Sequence, residues 1–150
     1  MESEPNPLPL EFCLSNQTDI SIDEHICNNI VRTVLKGERV DASSFTIVLL
    51  PRNSLRDMKN EFFHLDVYTD VIAFNLNDED ENLEGEIYIS PEQIKLNSDA
   101  FGVSFKNELY RVIIHGILHC CGWEDETAVL KSAMHRLEDF YLKKLGAHRA

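Results

Sequence analysis

The chain has 150 residues, 43% apolar and 27% charged, the composition of a soluble globular protein with room for a real core. Its 26 acidic against 14 basic side chains give a net charge of −12. That excludes a broadly basic nucleic-acid-binding surface, but charges are screened beyond about 8 Å at physiological salt, so a local basic strip can still act. No apolar run approaches the roughly 20 residues of a membrane helix. The opening MESEPNPLPL has neither the basic start nor the apolar stretch of a signal peptide. One domain over residues 1–150 is therefore expected, away from membranes.

Residues 8–15 read as a short strand. Residues 21–36 read as an amphipathic helix, with Ile22, Ile26, Ile30 and Val34 at helical spacing, a capping box of Ser21 and Glu24 at its start, and Gly37 as its end. SFTIVLLP (44–51) is β-rich. Ser54 is expected to cap a short helix running through Met58, Phe62 and Phe63. TDVIAFNL (69–76) reads as a strand, NDEDENLEGE (77–86) as an acidic loop, and EIYIS (86–90) as another strand. Pro91 suits the first turn of the next helix. A long helix follows over 104–121, from Ser104 to Gly122. The last helix covers about 126–145, with Leu130, Met134, Leu137, Tyr141 and Leu145 on its inner side. The mixture reads as α+β, one sheet covered by helices.

The chemistry concentrates in HGILHCCGWED (115–125). His115 and His119 are four apart on a helix, so both imidazoles share one face, one turn apart, as two corners of a metal polyhedron require. Gly122 lets the chain fold back, and Asp125 can supply a third ligand. The pattern is that of the metzincin proteases, with Gly116 replacing the catalytic Glu and Asp125 the third His. Two such histidines alone are often surface residues. Here they lie inside the apolar VIIHGILHCCGW, where imidazoles need partners.

The expected cofactor is one Zn2+ per chain, on three protein ligands with a position left open. Gly116 argues against proteolysis, because the usual base is missing, while a metal-activated water still suits phosphodiester hydrolysis. Glu124 and Asp70 are candidate accessory bases, or else solvated or turn acids. Arg111, one turn before His115, could hold a phosphate, or be an exposed helical Arg. Cys13, Cys27, Cys120 and Cys121 lack CxxC spacing and read as reduced thiols, Cys120 and Cys121 as packing residues. His135 reads as an ordinary helix residue, and His25, His64 and His148 form no motif.

On these residues the chain resembles the YbeY family of metal-dependent endoribonucleases. The family signature H-G-x-L-H-L-x-G-Y-D-H is matched by His115, Gly116, Leu118, His119 and Gly122, with Trp123, Glu124 and Asp125 replacing Tyr, Asp and His. YTDVIAF (68–74) and GEIYIS (85–90) match two further family segments in order and spacing, so the resemblance covers roughly residues 40–145. Phe63 stands where the family carries an Arg thought to assist catalysis. HLDVYTD, GVSFKNELYRV and CGWED resemble the Bacteroidetes-type branch, in which Asp is the third ligand.

The resemblance implies a sheet of about four strands with the metal helix lining a cleft. It also implies cytoplasmic, single-strand-specific cleavage of RNA in 16S rRNA 3′ end maturation and ribosome quality control. The implied partners are an rRNA precursor and the small subunit or its assembly factors. The competing reading is a non-catalytic ribosome-assembly factor whose metal is structural; a metalloprotease is disfavoured by the absent Glu.

Overall fold

A computed structural model of the chain describes residues 9–77 and 82–147. Part of the expected acidic loop, the first residue of the expected opening strand and His148 lie outside the described residues. The elements run β1 (Glu11–Asn16), α1 (Glu24–Glu38), β2 (Ala42–Leu49), α2 (Arg52–Phe63), β3 (Val71–Asn75), β4 (Leu83–Ile89), α3 (Pro91–Phe101), α4 (Phe105–Cys120) and α5 (Ala128–Lys144). The strand order is β1-β2-β4-β3. β1 and β2 are parallel, as are β2 and β4, whereas β3 runs antiparallel to β4, with Val71 opposite Ile89 and Asn75 opposite Gly85. This is the expected α+β fold, with four strands covered by helices.

One face of the sheet carries the main core, where Phe45, Ile47, Leu49, Ile87 and Ile89 meet apolar side chains of α1, α4 and α5. The other face is smaller: Val48, Leu50 and Ile72 pack with Leu55 and Met58 of α2 and with Phe74 and Tyr88. α4 sits on the large face. Ile113, Ile114, Ile117 and Leu118 are fully buried there, so the helix that carries the histidines belongs to the core.

Several local expectations shift. The Ser21–Glu24 capping box does not form. Asp23 caps α1 instead, accepting from the backbone N–H of His25 at 2.8 Å and of Ile26 at 3.3 Å. Gly37 lies inside α1, and the left-handed Arg39 ends the helix. A Cβ at Gly37 would meet the Tyr141 ring at 2.6 Å, so the glycine serves close approach of α5 rather than termination. Ser54 does not cap α2, which starts after Pro51 without a side-chain cap. The acidic loop gives way to strand at Leu83. Leu83, Gly85, Ile87 and Ile89 all face inward, with Glu84 exposed between them. Its acidic outward residues hid a two-residue alternation. Ser90, Ser104 and Thr127 cap α3, α4 and α5, and Pro91 opens α3 as expected.

Candidate metal centre

α4 brings His115 and His119 to the cleft beside β3 and the loop that follows Gly122. Gly122 has φ 104°, a left-handed conformation that a side chain would disfavour. The chain thereby turns back and carries Asp125 to the histidines. His115 Nε2 and His119 Nε2 lie 3.0 Å apart. Asp125 Oδ2 is 3.4 Å from the first and 3.5 Å from the second. Tetrahedral zinc with bonds of about 2.0–2.1 Å sets ligand atoms about 3.3 Å apart. The N, N and O donors thus fit such an ion in both spacing and chemistry, and the three form the one group of this kind among the described residues.

Both imidazoles are oriented through their other nitrogen. His115 Nδ1 donates to Glu138 Oε2 at 2.7 Å, and His119 Nδ1 donates to the Trp123 carbonyl at 2.9 Å. A carboxylate and a carbonyl only accept, so each Nδ1 carries a proton, and in the neutral imidazole each Nε2 then presents its lone pair. The Trp123 loop is itself anchored: its indole Nε1 donates to Glu38 Oε1 at 2.7 Å, and Tyr141 donates its hydroxyl to the other oxygen of Glu38. Burial pulls the His115 pKa down. The hydrogen bond and charge of Glu138, with Asp125 and Asp70, outweigh this and leave it raised.

Gly116 occupies the face of α4 turned to the sheet. A Cβ there would meet Val71 Cγ2 and Ile87 Cγ2, each at 3.1 Å. Read from sequence, the glycine is a missing base. In the fold it is a packing residue, because a Cβ there already presses on side chains of β3 and β4.

The remaining candidates divide. Arg111 lines the cleft with His115, but its guanidinium is taken up by Glu138 at 3.0 Å and Asp139 at 2.6 Å. Glu124 is exposed at the cleft mouth. Asp70 lines the cleft beside His115 and accepts from Asn97 Nδ2 at 3.2 Å. Burial raises its pKa against the opposing effect of His115 and its hydrogen bonds. Glu108 is raised too, first by burial and then by the charge of Asp70. Cys120 Sγ donates to the Phe74 carbonyl at 3.4 Å and belongs to the core, so it packs as expected.

Against known families, residues 13–146 match the endoribonuclease YbeY family. The chain belongs to the YbeY family. An Endoribonuclease YbeY from Chlorobaculum tepidum is 38% identical over 138 residues, 92% of this chain and 98% of that one. The Endoribonuclease YbeY of Flavobacterium psychrophilum is 36% identical over 115 residues, 77% of this chain and 81% of its own. The solution structure of TM1509 from Thermotoga maritima, 24% identical, superposes with a TM-score of 0.61 over 93% of each chain, which is a likeness of fold.

Sequence reading missed two residues of this YbeY-family site. Glu138 left a signal, an acid between Met134 and Tyr141 on the inner face of α5, where an acid needs a partner. Lys59 left none. It comes to the cleft, with Phe63, only through the packing of α2.

Proposed function

We propose that this chain is a zinc-dependent, single-strand-specific endoribonuclease acting on small-subunit rRNA precursors. The work we assign to it is 16S 3′ end maturation and quality control in the cytoplasm, with the small ribosomal subunit or its assembly factors as partners. Family membership supports the RNA substrate. The observation that carries the reading is the pair of histidines whose Nδ1 atoms are tied down while both Nε2 atoms and Asp125 Oδ2 converge.

His115, His119 and Asp125 would hold the ion. When bound, it would supply Lewis acidity and an activated water at neutral pH. In the hydrolysis, a water oxygen adds to phosphorus and one P–O ester bond breaks, its oxygen taking up a proton. Asp70, half-buried beside His115 with a raised pKa, suits holding that proton. Glu124, exposed on the rim, can exchange protons with solvent. Arg111 acts here as a positioning residue, fixing Glu138 and through it His115.

The alternative, an assembly factor with a structural metal, calls for a closed site of four protein ligands. The group here has three, and neither Cys120 nor Cys121 is among them. No described helix is long and apolar enough to cross a membrane. The test is substrate discrimination by the zinc-loaded chain. It is expected to cleave single-stranded rRNA fragments, leave duplex RNA and casein intact, and lose RNA cleavage with His119→Ala. Casein cleavage, or an active His119→Ala variant, would overturn the reading.

A further inference from the structure

The cavity at His119 is lined in part by Lys59 and Phe63 of α2. Arg52, Arg56 and Lys59 lie at i, i+4 and i+7 on that helix, so they form one stripe about 10 Å long. Aromatic rings interleave with it. The Arg52 guanidinium carbon lies 3.5 Å from the Tyr68 ring centre and that of Arg56 4.6 Å from it, while Lys59 Nζ lies 4.6 Å from the Phe63 ring centre. Phe63 and Tyr68 remain 44% and 39% exposed. Arg56 pairs with Asp66 at 2.7 Å. Arg52 bonds the neutral Gln93, and neither Arg52 nor Lys59 forms an ion pair with a described carboxylate.

The stripe runs into the metal centre. Lys59 and Phe63 line the same cavity as His115, His119 and Asp125, and Lys59 is the sole cation among that cavity's lining residues. The adjoining cavity, which shares Asp70, His115 and Asp125, offers Arg111, already neutralised by two carboxylates, and Lys131. The other charges of the His119 cavity are acids, Asp70, Glu124, Asp125 and Glu126, so a phosphate entering it meets Lys59 as its one cationic side chain. Arg52 and Lys59, free of carboxylate partners and lying over the partly exposed Tyr68 and Phe63 rings, alternate cation and aromatic ring as a flexible single strand requires, phosphates on the first and bases taking the place of the cation on the second. A rigid duplex keeps its bases stacked on one another and cannot use the rings.

We propose that this α2 stripe is the track on which a single RNA strand enters the cleft. Lys59 holds the phosphate nearest the histidines, Phe63 stacks a base beside it, and Arg52 with Tyr68 takes the strand further out. The proposal rests on the endoribonuclease reading and adds the residues that select a single strand.

The experiment measures binding of a labelled single-stranded 12-mer RNA to the zinc-loaded full chain, at early times and across a salt series. Lys59→Gln and Arg52→Gln are each expected to weaken binding severalfold at low salt and to reduce the salt slope by about 0.7 per lost phosphate contact. Phe63→Leu, which keeps an apolar contact with Phe74, is expected to weaken binding about fivefold or more at every salt concentration with the slope unchanged. Lys36→Gln, on α1, serves as the control and leaves the slope intact. If the wild type binds RNA and neither cationic variant changes the slope, the strand enters elsewhere and the track is overturned while the endoribonuclease reading stands. If the wild type binds no RNA, both fall.

Discussion

α4 has two faces that do different work. The face toward the sheet carries Ile113, Gly116, Ile117 and Cys120, close-packed, so that a methyl added at Gly116 would press on Val71 and Ile87 at 3.1 Å. The face toward the cleft carries Arg111, His115 and His119, each partly exposed and each tied through a side-chain nitrogen to α5 or to the Trp123 loop. One helix thus fixes the site by belonging to the core. A change on the first face should cost the fold, and a change on the second should cost the metal and spare the fold.

The largest effect is expected from Gly116→Glu. It forces a carboxylate between Val71 and Ile87, and an unpaired buried charge of this kind costs several kcal/mol. Urea denaturation should show little or no folded protein. A variant that folds normally and cleaves casein would break the comparison, because position 116 would then face the cleft. On the other face, His119→Ala should stay folded, within about 1 kcal/mol of the parent, yet lose most of its zinc by elemental analysis.

Asp125 separates next. Asp125→Ala should weaken zinc about tenfold or more, whereas Asp125→His should retain it, since imidazole can fill the same corner. With a neutral third ligand, the rising limb of the pH–rate profile should also move to lower pH. Glu138→Gln should lower zinc affinity about 10- to 100-fold by loosening the His115 tautomer and orientation. Unchanged affinity would reduce Glu138 to a partner of Arg111.

The pH dependence of stability tests the sheet face through its thiol. Burial pushes Cys120, and Cys27 on α1, from 9.0 up to about 12. A group raised in the folded state stabilises below its unfolded pKa and loses that contribution as pH rises through the folded value. Stability should therefore fall between about pH 9 and 12, by roughly 1.4 kcal/mol per pH unit for each thiol. Urea midpoints in reducing buffer from pH 8 to 11 measure it, and Cys120→Ala should flatten the fall.

The convergence of His115, His119 and Asp125 was legible in sequence because helical spacing alone places His115 beside His119, and a glycine followed by Asp125 allows one return of the chain. The starts of α3 and α4 were legible for the same reason: Pro91 and Ser104 act locally. What was hidden depends on tertiary packing. Gly116 looked like a chemical loss until the sheet stood behind it, and Gly37 looked like a stop until Tyr141 did. The extent of β4 was masked by outward glutamates that make a half-buried strand look like a loop. Glu138 and Lys59 reach the cleft from helices distant in sequence, a placement that periodicity cannot supply.

The most direct test is a zinc titration of metal-stripped chain, reading cleavage of a single-stranded rRNA fragment. Activity is expected to be absent without metal, to rise with added zinc and to saturate at about one equivalent per chain. Cleavage that persists in the stripped protein, or that never returns as the His115–His119–Asp125 site fills, would contradict the account.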